Sequence, residues 1–339
     1  MLTWFNETVT NAFVGALMPI SDFIMDGSSR FYWLYCITGI AIAAYAWHRH
    51  KRAMKDFEGA LFSKEMWLST SALNDYFIVV LTPVLRLTVL SWTTIHWQAV
   101  SNWVSSTLIS FGVTGTATDG TAIMLGFALT LTLFVVDDFL RWLVHYYFHV
   151  IPELWEFHKV HHTAEVLNFT TADRQHPVEV IATGAILSLA YGLVNGLFIG
   201  LFGDNLTVTT VAGANIFLFT FNIAGGVLRH SPFWISFGPR IEKWVISPAM
   251  HQIHHSDNPK HFDTNMGGSL AVWDRIFGTL YIPKEEEHIK YGIGEETKDF
   301  RSLGVIYGRP FTASLDHLRK RFDKGSKSAE QQAAKPVSV

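Results

Sequence analysis

Three histidine clusters carry the clearest chemistry in this 339-residue sequence: His145 with His149, His158 with His161 and His162, and His251 with His254 and His255. Spacings of three and four residues bring side chains to one face of a helix, because each residue turns the chain by about 100°. Each cluster is therefore a ready-made pair or triplet of imidazoles. Random placement of the 16 histidines gives roughly 0.04 HxxHH patterns per chain, yet two occur, beginning at His158 and His251. Neutral imidazole is a ligand for Fe, Zn, Cu and Ni, so residue type does not choose the metal. Number says more. One zinc takes about four ligands, whereas the clusters hold eight histidines and His230, at the end of an apolar stretch, supplies a ninth. That count argues for two metals. Two irons held mainly by imidazoles are able to bind and reduce O2, and so to take hydrogen from an unactivated C–H bond.

Carboxylates inside apolar runs are costly and hence candidates for a role. Asp137 and Asp138 precede the first cluster. Asp138 lies two helical turns before His145 on the same face, where it either orients an imidazole through its second nitrogen or pairs with Arg141. Arg86 either pairs with one of these aspartates or snorkels to the interface. Asp274 is either an acceptor behind a ligand or a structural cap. His176 and His261 are left open as neighbours of the metal site. His48 and His50 belong to a solvated basic block, and His96, His288 and His317 have no partners by spacing.

The elements that must position these residues are apolar. The sequence is 49% hydrophobic and 14% aromatic, and only 16% charged where a soluble protein carries about 25%. A membrane protein with a substantial water-facing part follows. A net charge of −3 without a basic stripe gives no reason to expect a nucleic-acid partner. The lone Cys36 excludes an intrachain disulfide or a Cys-ligated zinc or iron–sulfur site. Residues 1–30 lack a signal-peptide pattern and read as an interfacial lead-in. Apolar spans are expected at 31–47, 76–104, 121–144, 180–202 and 206–228. The second of these, interrupted by Pro83 and Arg86, is one kinked span or two segments. The block from His48 to Arg52 marks the cytoplasmic side, and the turns at 111–120 and 203–205 lack Lys and Arg. This topology places 145–179 and 229–311 on one side as a polar cap, followed by a basic tail at 312–339 expected to be disordered. The fold class is thus all-α, a multi-span helical membrane protein whose cytoplasmic histidine-rich cap holds a dinuclear metal site.

The competing classes are a His-lined metal transporter or a haem-binding membrane protein. Both would place histidines within the spans or on opposed helices. A zinc protease needs HExxH, which is absent.

From residue 134 to 281 the pattern resembles the fatty acid hydroxylase and sterol desaturase superfamily of membrane di-iron enzymes. The matching features are HxxxH at His145 preceded by Asp138, HxxHH at His158, and HxxHH at His251 within a Ser-Pro-Ala-Met lead. The Asp-Thr-Asn-Met-Gly-Gly run from Asp263 and the Trp-Asp-Arg-Ile-Phe-Gly-Thr run from Trp273 also match. The region after the third cluster is similar to bacterial members and to the alkylglycerol monooxygenase branch. Tyr146, where many relatives have Arg, and Ser231-Pro232, where some have Asn, are departures that bear on the substrate. The resemblance implies an oxygenase domain over 31–311. It would use two Fe ions, O2 and two electrons from a partner such as cytochrome b5 or a ferredoxin and reductase to hydroxylate or desaturate a lipid. It further implies a bacterial inner membrane or endoplasmic reticulum location, with His145, His149, His158, His161, His162, His230, His251, His254 and His255 as ligands.

Overall fold

Two long apolar helices carry the site. The computed structural model describes residues 24–50, 54–88, 96–113 and 115–333, so most of the expected lead-in lies outside the described residues. The helices are α1 (Trp33–Arg49), α2 (Met54–Leu61), α3 (Lys64–Leu68), α4 (Thr70–Thr88), α5 (Trp97–Ser110), α6 (Asp119–Val150), α7 (Pro152–His162) and α8 (Pro177–Phe202). A two-stranded hairpin, β1 (Thr210–Val211) and β2 (Ala214–Asn215), is followed by α9 (Ile216–Ile223), α10 (Pro248–His254), α11 (Val272–Phe277) and α12 (Leu303–Ala333). Among the described residues, Gly120–Val150 and Pro177–Phe202 are long and apolar enough to cross a membrane. On α8 the side chains of Leu189, Leu193, Leu197 and Leu201, one turn apart, all face outward. In water such a stripe invites aggregation, whereas in a bilayer it is an ordinary lipid face.

The opposite face of α8 is built for close approach. Gly192, Gly196 and Gly200 recur every four residues, and a Cβ on Gly196 would lie 2.6 Å from the Ser101 carbonyl oxygen on α5. Small residues at this spacing let two backbones touch where lipid offers no hydrophobic drive to association. Gly196→Ala is therefore expected to destabilise the protein by about 1–3 kcal/mol through overpacking. Gly184→Ala, whose Cβ meets nothing within 4 Å, is its control, and thermal unfolding in detergent compares the two.

One open choice is resolved and two expectations need correction. For 76–104, left open as one kinked span or two segments, the structure has two helices, α4 ending at Thr88 and α5 starting at Trp97 after an extended His96. Residues 206–228 are not one helical span: they run as an irregular stretch, the β1–β2 hairpin, the eight-residue α9 and a 3-10 turn at Gly226–Arg229. Non-helical backbone at membrane depth survives only where protein or a cavity meets its polar groups. Here Thr130 does part of that, its hydroxyl accepting from Thr209 N and its carbonyl from Asn215 Nδ2. The tail at 312–339 is helical through Ala333, since its Ala, Gln, Glu and Lys are strong helix formers as well as polar residues.

That last helix has a structural task. α12 packs along α7, where Arg321 pairs with Glu153 at 2.8 Å and His317 meets Glu156 at 3.3 Å. Lys159 bridges Glu156 and Glu296. At the far end of α7, the buried Arg174 holds Asp75 of α4 at 2.7 Å and donates to the Val160 carbonyl and the Thr163 hydroxyl. α7 is thus clamped at both ends.

Candidate metal centre

The chain passes from α6 to α7 through Ile151, with Pro152 at the first helical position, where a missing N–H costs nothing. This turn folds α7 back so that His145 and His149 face His158 and His162. α10 begins with the same logic: Ser247 caps it by accepting from Met250 N, and Pro248 follows. Gln252 of α10 donates to the Ser231 and Phe233 carbonyls and so ties the segment carrying His230 to the third cluster.

The nine histidines converge as two groups. His145, His149, His158, His162 and His254 form one, and His161, His230, His251 and His255 the other, each with candidate ligand atoms within 4.8 Å of one another. Each HxxHH triplet divides the same way. The i,i+4 pair, 158 with 162 or 251 with 255, joins one group, and the i+3 residue, His161 or His254, turns into the other. The triplets therefore cross-link the two groups rather than each building one.

In the five-histidine group the outer nitrogens are fixed by acceptors. Met266 O lies 2.8 Å from His145 Nδ1, Asp263 Oδ1 3.2 Å from His149 Nδ1, Glu179 Oε1 3.0 Å from His158 Nδ1, and Thr264 O 2.8 Å from His254 Nδ1. A carbonyl or carboxylate can only accept, so Nδ1 carries the proton and Nε2 presents a bare lone pair. Yet His145 Nε2 and His158 Nε2 are 2.9 Å apart, and the buried Nε2 atoms of His149 and His254 have no partner. Bare lone pairs crowded at that distance repel unless a cation lies among them. The donor set therefore fits a metal ion. In the four-histidine group, His230 Nε2 lies 3.0 Å from His251 Nε2, 3.2 Å from His255 Nε2 and 3.3 Å from His161 Nε2. The Nδ1 atoms of His161 and His251 are buried without an acceptor, so this group is less firmly oriented.

One loop supplies three of the four acceptors. Asp263 and Asn265 take left-handed φ angles of 57° and 54°, which Asp and Asn tolerate. The Asn265 amide donates to the Met250 and Tyr281 carbonyls, which aims the neighbouring carbonyls at the imidazoles. Both aspartates singled out in the sequence brace this region instead of touching histidine. Asp274 accepts from Trp142 Nε1, Met266 N, Gly267 N and Thr279 Oγ1, so it reaches His145 only through the Met266 peptide. Asp138 accepts from Ser269 N, Leu270 N and Trp273 Nε1. It neither orients an imidazole nor pairs with Arg141, which binds Asp137 at 2.7 Å. The helical-face count was sound, but the loop arriving from far along the chain takes all the aspartate's capacity. Glu179 and Asp263 are the carboxylates that sequence reasoning missed. The signal for Glu179 was available: a carboxylate in the first turn of an apolar helix.

The remaining histidines sit apart from both groups. His176 caps α8 by accepting from Val178 N and contacts the Tyr307 carbonyl. His261 meets Glu287 at 3.1 Å, and its carbonyl accepts from Thr264 Oγ1, so it steadies the loop. His50 approaches Glu286 at 3.6 Å, while His96 and His288 are exposed. The Arg86 side chain lies outside the described set.

Burial holds His161, His162, His230, His251 and His255 well below the usual imidazole range, with repulsion among neighbouring rings adding to it. His254 is brought by burial to about 3, against a contrary pull from its Thr264 hydrogen bond. Neutral rings are what a metal requires. For chelator-treated protein the sign follows directly: below about pH 6.5 the unfolded chain binds protons that the folded chain refuses, so stability falls with pH. Each such histidine contributes a slope of up to about 1.4 kcal/mol per pH unit. The unfolding temperature of metal-free protein should be level above pH 7.5 and drop steeply from 6.5 to 5.5, and a flat profile would contradict neutral burial.

Residues 130–279, which include all nine histidines, match the fatty acid hydroxylase family. Among curated proteins, the chain is 27% identical over 185 residues to an alkylglycerol monooxygenase of Xenopus tropicalis, covering 54% of this chain and 35% of that one. To the Danio rerio alkylglycerol monooxygenase it is 31% identical over 163 residues, 48% of this chain and 32% of the relative. An ornithine lipid hydroxylase, OlsE, of Rhizobium tropici is 28% identical over 168 residues, 49% of this chain and 46% of the relative. The chain thus spans less than half the length of these relatives. No solved structure matches it significantly. The histidine geometry and the matched segment coincide: residues 130–279, which are similar to the fatty acid hydroxylase family, carry both histidine groups.

Proposed function

We propose that the chain is a membrane oxygenase that holds two irons in its two histidine groups and hydroxylates a C–H bond of a lipid. The observation that carries this reading is the convergence of histidine nitrogens in two adjoining sets, with the Nε2 atoms of His149 and His254 buried and unpartnered. His145, His149, His158, His162 and His254 would hold one iron, and His161, His230, His251 and His255 the other. Bound iron would supply the redox chemistry that reduces O2 with two electrons. The balance is one C–H bond, O2, two electrons and two protons giving one C–OH and water. The electrons come from a protein donor such as cytochrome b5 or a ferredoxin and its reductase. The names of the relatives, a monooxygenase of alkylglycerols and a hydroxylase of ornithine lipid, favour hydroxylation over desaturation.

A cavity of about 790 Å³ supports the reading. His145, His158, His161, His230 and His251 line it, together with Leu133, Phe134 and Val144 of α6 and Leu218 of α9. Its wall along α6 runs from Leu133 to His145, about 18 Å at 1.5 Å per residue. That is a slot in which an alkyl chain lies beside the imidazoles and excludes water. The convergence of five nitrogens on one point also leaves no flat gap for a porphyrin, which disfavours the haem alternative.

Orientation follows from charge. α1 ends at Arg49, within the basic His48–Arg52 run of the sequence, and Trp47 packs on Phe233, three residues past His230. By the positive-inside rule the histidine end faces the cytoplasm, in a bacterial inner membrane or the endoplasmic reticulum. Metal analysis of detergent-purified protein, with lipid profiling of a deletion strain, tests the whole reading. About two irons per chain and one accumulating unoxidised lipid are expected, and a protein that takes up only zinc would overturn it.

A further inference from the structure

The cavity holds more charge than the metal ligands explain. Six ionised side chains other than histidine line it: Arg30, Asp137, Asp138, Arg141, Glu179 and Arg229. Four are committed. Asp137 takes Arg141 at 2.7 Å and the Tyr191 hydroxyl at 2.5 Å, Asp138 takes three N–H donors, and Glu179 meets His158. Arg30 and Arg229 form no ion pair among the described residues. Arg229 is braced by the Gly226 and Gly268 carbonyls and lies over the Phe221 ring at 5.3 Å, which fixes its position without neutralising it. The two guanidinium groups line the same cavity as His161 and His230. Arg30 is exposed and Arg229 half-buried, so the mouth of the cavity presents two guanidinium groups with no carboxylate among the described residues to neutralise them.

We propose that Arg30 and Arg229 are the docking site for an anionic oxygen group, phosphate or carboxylate, at the head of the lipid whose chain fills the cavity. This rests on the reading of the cavity as a lipid-oxidation chamber and adds its substrate class. A guanidinium fork matches an oxyacid group bidentately. Because His230 directly follows Arg229, a head group held there fixes the distance from the head to the carbon beside the metal groups. Leu133, Phe134 and Leu218 then receive the tail. The oxidised carbon is counted from the head of the lipid and does not move when the tail is lengthened.

Binding to the full chain in neutral detergent tests the proposal with four probes: lysophosphatidate against monoacylglycerol of the same chain, and palmitate against hexadecanol. Wild type should prefer the anionic member of at least one pair by about tenfold, the worth of a charge-assisted hydrogen bond. Arg30→Gln should erase most of that preference while leaving binding of the neutral member unchanged. Arg229→Gln should do the same if it folds, and Arg30→Gln carries the test if it does not. Equal binding within both pairs by wild type overturns the proposal, as does a preference that survives Arg30→Gln. Inorganic phosphate binding as tightly as lysophosphatidate also overturns it, because the site would then serve a free anion. Iron content measured on the same samples separates the two claims: iron with no head-group preference refutes this inference alone, and absence of iron refutes the oxygenase reading whatever the lipids do.

Discussion

A variant carrying both His161→Ala and His254→Ala is expected to fold, to lose its iron on purification and to yield no oxidised lipid above background. The choice of pair follows from the crossing of the triplets: His161 belongs to the four-histidine group and His254 to the five-histidine group, so each set loses one ring. Folding should survive because the neighbourhood is held by other contacts. α7 keeps its clamps at Glu153, Glu156 and Arg174, and α10 keeps its Ser247 cap and its Gln252 bridge. Removing two rings that repel their neighbours when protonated should even lessen the acid sensitivity of metal-free protein. Losing only an outer hydrogen-bond partner of a metal ligand costs about 10- to 100-fold in affinity or activity, and losing a ligand in each group should cost more. Iron quantification and product analysis on purified protein check the outcome, with His288→Ala, on an exposed ring, as the neutral control. Full activity in the double variant would remove the basis for two histidine-held irons.

The local order of the site was legible because helix geometry is local. Spacings of three and four residues announced that His158, His161 and His162 share a helical face, and α7 spans them. What the spacing does not encode is the partner helix, so the division of each triplet between two groups emerges only when α7 and α10 pack together. The outer acceptors were hidden for the same reason. Glu179 lies 21 residues from His158, and Asp263 lies 114 from His149. Hydropathy located the apolar character of 206–228 but not its backbone. In a lipid-exposed segment that character means helix, whereas a segment bordering a cavity is free to break, and Thr210, Asn215 and Asn222 in this one face the cavity. The tail beyond 312 illustrates the converse. A polar composition was compatible with disorder, but Phe311 against Phe157 and Arg321 against Glu153 supply the docking that keeps it helical.

The two groups should also differ in how tightly they hold metal. Four of the five rings in the first group have Nδ1 acceptors, two of them carboxylates, whereas His161 and His251 in the second have none. A carboxylate or carbonyl behind an imidazole fixes its tautomer and raises its basicity, so the first group gives the stronger site. Stepwise dialysis against a chelator is expected to remove one iron per chain well before the other. Glu179→Gln and Glu179→Ala should then narrow the gap. Each weakens the stronger site by about 10- to 100-fold, the alanine more than the glutamine, because the amide oxygen still accepts from His158 Nδ1. Wild type should show two release phases and the alanine variant phases that approach one another. The two substitutions distinguish a role in orienting His158 from simple packing. Gln fills the same volume as Glu, so a packing role predicts wild-type release for glutamine, while an electrostatic role predicts a loss in both. Two irons that leave together from wild type would mean that the bare Nδ1 atoms of His161 and His251 find acceptors once metal is bound, and the asymmetry would then belong to the metal-free state alone.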